Sequence, residues 1–159
     1  EAIADVAKLM MNMVHQMLQQ LRSDVLDKLG LSAALNDLLG SWQQRNAGIN
    51  AVLQISGEID DLGEHVAITV FRIIQECLTN VTRHASASRV MLKILREDRA
   101  LSILVEDDGH GFNPQIETEG FGLAGMRERV EELRGKIFLD SASGEGTRVR
   151  VNFLITAVQ

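Results

Sequence analysis

Apolar residues recur with two different periods along this chain, and the change of period divides it into predicted elements. In residues 1–29 they fall three or four positions apart, with polar residues between them, which predicts a long amphipathic helix. Gly30 is expected to end this helix, and Ser32 to cap a second helix that ends near Gly48. The apolar positions of the first helix are Ile3, Val6, Leu9, Met10, Met13, Val14, Met17, Leu18 and Leu21.

After Gly48 the pattern alternates between strand-like and helix-like segments. Helices are predicted over 65–85 and 123–135, and a turn at Asp98 and Arg99. This order favours an α/β sandwich, in which helices cover one face of a mixed sheet, over a regular doubly wound parallel fold. The predicted strands are 49–56, 88–97, 101–107, 136–143 and 147–158.

Composition and charge narrow the classes of function. The 159 residues suffice for one domain plus an extra helix, and a net charge of −6 without a basic cluster argues against a nucleic-acid partner. The single cysteine, Cys77, cannot form an internal disulfide, which favours a reducing cytoplasm. No apolar run approaches the roughly 20 residues of a membrane-spanning helix. A first residue that is Glu1 rather than methionine suggests a piece of a longer protein.

A polar stripe interrupts the apolar pattern of the predicted helix 65–85. Residues four apart lie nearly above one another on a helix, so Arg72, Glu76, Asn80 and His84 share one side. A carboxylate and an amide one turn apart supply the oxygen ligands that Mg²⁺ prefers. The alternative is a solvated helix face with an Arg-to-Glu pair, and the helix alone favours that interpretation.

Three glycine-containing motifs follow in order. In "EDDGHGF", Asp107 ends an apolar strand, and glycines after it let the chain approach a flat ligand closely. In "GFGLAGMRERV", glycines open a helix whose N-terminus favours phosphate. In "SGEGTRVRV", two glycines and a hydroxyl precede the last strand. Each motif alone also has a structural explanation: a strand-to-loop turn for the first, a glycine-rich loop for the second and a tight hairpin turn for the third, which that motif alone favours. The residues are Asp107, Gly109 and Gly111, then Gly120, Gly122 and Gly125, then Gly144, Gly146 and Thr147.

Taken together, the helix with E-x-x-x-N and the three motifs resemble the N, G1, G2 and G3 boxes of the ATP-binding catalytic domain of sensor histidine kinases. That domain shares a superfamily with DNA gyrase, Hsp90 and MutL. The stretches "FRIIQECLTNVTRHASAS", "VEDDGHGF" and "GFGLAGMRERVEELRG" are similar to the subgroup of nitrate and hexose-phosphate sensors. The resemblance spans residues 20–155 and implies the two-layer Bergerat fold, with ATP and Mg²⁺ as cofactors.

The resemblance also implies roles for individual residues. Asn80 would bind Mg²⁺, and Glu76 would take part in the metal site, orient a water or act as a base. Asp107 would hydrogen-bond the adenine amino group, and Arg83 and His84 would lie near the phosphates. Residues 113–121 would form a lid over ATP. The remaining positions implied to line the nucleotide are Gly109, Gly111, Gly120, Gly122, Leu123, Gly144, Gly146 and Thr147.

The phosphoacceptor histidine of the family is expected outside this chain. His15 is followed by Gln16 rather than by an acidic residue, so residues 1–29 are interpreted as the second helix of the dimerisation hairpin plus a linker, and 30–159 as the catalytic domain. We therefore expect no autophosphorylation by this chain alone. The implied partners are the hairpin of the same full-length protein, which is expected to form a homodimer, and a response regulator. The implied location is a cytoplasmic domain of an inner-membrane protein, without membrane contact of its own.

Two other functions use the same nucleotide fold. An anti-sigma factor would start at the ATP-binding domain, which the helix of residues 1–29 argues against. A gyrase-type or Hsp90-type clamp would need a larger lid and a transducer domain, and the stretch between Gly111 and Gly120 is short. His65 and His110 are expected to be solvated, because neither is part of a metal-ligand motif in the sequence. Trp42 is expected to pack in the core.

Overall fold

A computed structural model of the chain describes residues 26, 28–113 and 121–155. These residues form helices and one mixed sheet. Helix α1 covers residues 28–45. Helix α2 (Glu64–Asn80) continues into a π-helical turn (Val81–Ala85), and α3 is Phe121–Glu132. Residues 1–25 and 27 of the predicted helix 1–29, and residues 114–120 of the predicted lid, lie outside the described residues.

Five strands form the sheet within the described part of the chain. Their order is β1-β2-β3-β5-β4. Strands β1 and β2 run parallel, and the other neighbours run antiparallel. The mixed sheet was predicted, and every predicted strand is confirmed with ends shifted by a few residues. The bounds are β1 (Asn50–Ser56), β2 (Arg89–Glu97), β3 (Ala100–Asp107), β4 (Lys136–Ser141) and β5 (Thr147–Leu154).

The sheet is buried on one face because its strands alternate with a period of two. Leu92 of β2 pairs with Val105 of β3, which pairs with Val149 of β5, and all three are buried. The residues between them, such as Lys93 and Arg148, are exposed. The buried side chains join those of the helices in one cluster. The prediction of helices on one face of a mixed sheet is therefore confirmed.

Helix α2 presents its apolar side to this core and ends in a wider turn. Val70, Ile74, Cys77 and Leu78 are buried, as the apolar pattern predicted. The helix was predicted to continue to residue 85. It does so with a π turn at Val81–Ala85, which has more residues per turn than an α-helix and often lies at functional sites.

Helix α1 differs from the prediction at its start. Helical residues run through Gly30, so Ser32 lies inside the helix rather than capping a second one. The expected interruption still exists in the backbone, because Gly30 has a φ of 84°. The amide of Ser32 donates to Oδ1 of Asp60 at 2.7 Å. A carboxylate from the loop after β1 thus takes the role that was assigned to the Ser32 hydroxyl.

Trp42 fastens α1 to the end of α2. Its ring is buried, as expected, and its Nε1–H donates to the Leu78 carbonyl at 3.1 Å and to Oγ1 of Thr82 at 2.9 Å. These acceptors lie at the junction between α2 and the π turn. The indole therefore supports the backbone on both sides of Asn80.

We expect Trp42→Phe to lower the free energy of unfolding by about 1–2 kcal/mol, because a buried N–H donor and part of a packed ring are lost. The melting temperature should fall by about 2–8 °C. Circular dichroism is the suitable measurement, since Trp42 is the only tryptophan. Gln44→Ala, on the exposed side of α1, is the matched control and should change stability little. A Trp42→Phe protein as stable as the wild type would contradict this role for the indole.

Candidate functional site

A cleft of about 470 Å³ opens where the π turn, the end of β3 and the start of α3 meet. We call it the central cleft. Five of the polar residues selected from the sequence line it together, although they come from three separate stretches of chain. They are Asn80, Arg83, His84, Asp107 and Thr147.

Asn80 and Glu76 lie one helical turn apart in α2, and both are half-buried. Neither side chain has a hydrogen-bond partner among the described residues. The Glu76 carboxylate occupies the space that a Cβ on Gly122 would need, so it lies against the first turn of α3. Glu76 is therefore next to the central cleft rather than among the residues that line it.

These two side chains fit a metal that takes most of its ligands from elsewhere. In the part of the chain that the structure describes, no group of three or more His, Cys, Asp or Glu side chains could hold a metal ion. Asn80 and Glu76 nevertheless offer unpartnered amide and carboxylate oxygens at one end of the cleft. Mg²⁺ commonly uses one or two protein oxygens and completes its shell with water and phosphate.

Asp107 is half-buried at the end of β3, where it faces the cleft. Its Oδ1 accepts a hydrogen bond from the Gly109 amide at 2.9 Å. Burial raises the pKa of the Asp107 carboxyl above its usual value of 3.8, and hydrogen bonds from the amides of Gly109 and Thr147 offset this only in part. The carboxyl is thus poorly solvated and available to a ligand that donates a hydrogen bond.

The neighbouring Asp108 has a structural role. Its Oδ1 accepts from the amides of Ser88 and Arg89, both at 2.8 Å, and its Oδ2 accepts from the Ser88 hydroxyl at 2.6 Å. The Ser88 hydroxyl, followed by the Arg89 amide, lowers the pKa of Asp108. These bonds tie the start of β2 to the end of β3. The two adjacent aspartates of "EDDGHGF" therefore have different roles, which supports the choice of Asp107 as the residue that faces a ligand.

Glycines around the cleft are needed because backbone packs against backbone. A Cβ on Gly109 would overlap the carbonyl of Ala85, and one on Gly146 would overlap the carbonyl of Asp107. Gly146 also has a φ of 75°, which other residues rarely adopt. The same packing brings the π turn, the end of β3 and the turn before β5 together.

The remaining predicted positions divide into three groups. Gly111, Gly122 and Leu123 line the central cleft. Gly109, Gly144 and Gly146 do not line it, although Gly109 packs against Ala85 and Gly146 against Asp107, which both line the cleft. Gly120 lies outside the described residues. His110 was expected to be solvated, and its side chain is exposed, but it also borders the cleft.

The apolar walls of the cleft were not assigned to the site from the sequence. The apolar pattern of the sequence indicates only that such residues face the core. Near the end of an element, a side chain on the core side can also line a cleft, and the pattern does not distinguish the two positions. Cys77 is one of the wall residues, and burial raises the pKa of its thiol to about 12, helped by the charges of Glu76 and Asp107. The thiol is thus neutral at physiological pH. The wall residues are Cys77, Val81, Val105, Phe112, Leu139 and Val149.

Comparisons with known proteins agree on one family. Residues 65–157 match the sequence profile described as "Histidine kinase-, DNA gyrase B-, and HSP90-like ATPase". The histidine-protein kinase/phosphatase UhpB of Salmonella typhimurium is 40% identical over 141 residues, covering 87% of this chain and 27% of that protein. The kinase/phosphatase DegS of Brevibacillus brevis is 34% identical over 144 residues, covering 90% and 37%. The chain thus spans about a quarter to a third of these relatives.

Solved structures show the same fold. The histidine kinase domain of a blue-light-activated kinase from Erythrobacter litoralis superposes with a TM-score of 0.63 at 20% identity, covering 79% of this chain and 61% of that one. The histidine kinase AdeS of Acinetobacter baumannii gives 0.67 at 13% identity, covering 97% and 84%. Among the helices of the described residues, none is long and apolar enough to cross a membrane.

The buried Asp107 generates a prediction about stability and pH. Because its pKa is raised in the folded state, the stabilisation present below pH 3.8 is lost as the pH rises through the raised pKa. We expect Asp107→Asn, without nucleotide, to be at least as stable as the wild type at pH 7. The stability difference should grow in favour of the variant between pH 4 and 7. Denaturant unfolding at several pH values measures it, and a difference that does not change with pH would contradict it.

Proposed function

Because this chain belongs to the histidine kinase-, DNA gyrase B- and HSP90-like ATPase family, we propose that it is the ATP-binding catalytic domain of a two-component sensor histidine kinase. In this proposal the central cleft binds ATP, and the γ-phosphoryl group passes to a histidine outside these 159 residues. The observation that carries it is the set of groups that line one cleft: a poorly solvated carboxyl at the end of β3, apolar walls, and an amide with two basic residues at the end of α2 and on the π turn.

The adenine ring is assigned to the side of Asp107. Val105, Leu139 and Val149 supply apolar surface there for a flat ring. The Asp107 carboxylate accepts a hydrogen bond from the adenine amino group, which replaces solvation that burial has removed. A site that hydrogen-bonds such a donor discriminates strongly against a base that lacks it.

The triphosphate is assigned to the side of Asn80. Arg83 and His84 are exposed on the π turn and border the cleft, so their side chains can approach phosphate oxygens. Gly122, at the start of α3, has no side chain and lets the backbone approach the ligand closely, and Leu123 lines the cleft beside it. Thr147, which lies opposite Asp107 in the pairing of β3 with β5, offers a hydroxyl on the adenine side. Gly120 and the rest of residues 113–121 are proposed to cover the bound nucleotide.

Asn80 and Glu76 are proposed to hold Mg²⁺ between the protein and the phosphates. The ion would neutralise charge on the phosphates, which is the main requirement of phosphoryl transfer. The amide oxygen of Asn80 would be the direct ligand. The Glu76 carboxylate contributes through the ion or a water, or accepts a proton from the attacking group. Positioning by these residues, rather than covalent chemistry, is what the chain contributes.

Residues 1–29 are proposed to be the end of a dimerisation hairpin and its linker, and residues 30–159 the catalytic domain. The partners are then the hairpin of the same full-length protein, as a homodimer at an inner membrane, and a response regulator. The relatives named above are histidine kinases, and they give no support to an anti-sigma function.

Asn80→Asp tests the metal site. It keeps the size of the side chain but adds a negative charge beside the triphosphate, so Mg²⁺-dependent ATP affinity should fall by about tenfold or more. Competition with a fluorescent ATP analogue, with and without Mg²⁺, measures this. Asn152→Asp, the same substitution on the exposed face of β5, is the matched control and should bind as the wild type does. If Asn80→Asp bound ATP with the Mg²⁺ dependence of the wild type, the assignment of Asn80 as a metal ligand would be contradicted.

Phosphotransfer tests the kinase function itself. Incubated with labelled ATP, the chain alone should acquire no acid-labile phosphate. With a separately supplied hairpin that carries the upstream histidine, the label should appear on the hairpin. Acid-labile phosphate on the chain would show that His15 or another residue accepts it. A chain that binds ATP but never labels the hairpin would contradict the kinase function and leave nucleotide binding intact.

A further inference from the structure

His110 occupies a place in the cleft that its sequence context did not suggest. Its Nδ1 lies 2.6 Å from the carbonyl oxygen of Gly111. A carbonyl oxygen can only accept a hydrogen bond, so Nδ1 carries the proton. In the neutral imidazole the other ring nitrogen, Nε2, then has a free lone pair. The residue therefore offers a hydrogen-bond acceptor at the edge of the central cleft.

The backbone of His110 is held from two directions. Its amide donates to the Ala85 carbonyl at 2.8 Å, and its carbonyl accepts from the Gly144 amide at 2.6 Å. One bond reaches the π turn and the other reaches the turn before β5. With its ring also bonded to Gly111, the imidazole is held in place before a ligand arrives, which reduces the entropy lost on binding.

The neighbours of His110 indicate which part of a nucleotide it meets. Asp107, three residues earlier, lines the same cleft as His110. Arg83 and His84 border the same cleft. A neutral Nε2 has no proton to donate, and phosphate oxygens only accept, so the triphosphate is a poor partner for it. A donor on the nucleoside, at the side of Asp107, is a suitable one.

We propose that His110 is a specificity-determining residue of the central cleft, whose Nε2 accepts a hydrogen bond from the nucleoside part of ATP. The donor is the adenine amino group or a ribose hydroxyl, which present the same chemistry. The inference rests on the proposed function and adds to it a second recognition group on the side of Asp107.

Two substitutions distinguish the proposed contact between Nε2 and the nucleoside from the hydrogen bond between Nδ1 and the Gly111 carbonyl. In His110→Asn the side-chain amide nitrogen takes the place of Nδ1 and can keep the bond to Gly111, but no atom reaches the position of Nε2. In His110→Gln the longer side chain places an acceptor oxygen near that position. We expect His110→Asn to raise the Kd for ATP about 3- to 10-fold, as loss of one hydrogen bond does. His110→Gln should stay within about twofold of the wild type.

Nucleotide analogues then identify the donor. The ratio of Kd values, His110→Asn over wild type, is measured for ATP, inosine triphosphate, 2′-deoxy-ATP, 3′-deoxy-ATP and tripolyphosphate. The ratio should fall to about one for the analogue that lacks the donor and for tripolyphosphate. Thermal unfolding of His110→Asn without nucleotide should match that of the wild type.

Several outcomes would contradict the proposed contact between His110 and the nucleoside. These are a His110→Asn protein that binds ATP normally, a loss shared equally by tripolyphosphate, or a His110→Gln protein as weak as His110→Asn. A His110→Asn protein with a lowered melting temperature and a ratio that is the same for every analogue would assign His110 a structural role instead. If the wild type failed to bind ATP, the proposed function would fall, and this contact with it.

Discussion

The junction between the end of α2 and the loop after β3 is the constraint on which the site depends. The His110 amide donates to the Ala85 carbonyl at 2.8 Å, and Gly109 has no side chain to keep the two backbones apart. This contact fixes the π turn against the end of β3. Asn80 and Arg83, which belong to the helix, thereby face the same cleft as Asp107, which belongs to the sheet. Trp42 also supports this junction, because its Nε1–H donates a hydrogen bond to the Leu78 carbonyl near the end of α2.

Much of the fold could be predicted because burial imposes a period on each element. The strands alternate between the core and solvent, and α2 buries the side that its apolar residues marked. The errors occur where a distant segment decides local structure. The Ser32 amide is capped by Asp60, twenty-eight residues away, and no local pattern could indicate that partner. The π turn is similar, because the residues Val81–Ala85 have no distinctive composition for it.

The polar residues of the site were easier to predict than its walls. Asn80, Asp107 and Thr147 belong to motifs that occur in a fixed order along the chain, and the order selects them although each motif alone is compatible with an ordinary turn. Val105 and Leu139 do not, because the same alternation that makes them strand residues also places them in the cleft. The role proposed for His110 could not be predicted for a different reason. It depends on the hydrogen bond to Gly111 and on the position of the residue beside the cleft, which only folding creates.

The central cleft combines groups that folding alone does not favour. Asp107 is held where burial raises its pKa, and Asn80 and Glu76 present oxygens without a partner among the described residues. For Asp107 the lost solvation is replaced only in part, which costs stability in the absence of a ligand. Asp108 shows the contrast, since three short hydrogen bonds satisfy its carboxylate and lower its pKa. The poorly solvated carboxyl of Asp107 beside the fully bonded carboxylate of Asp108 therefore supports a binding role for the first and a structural role for the second.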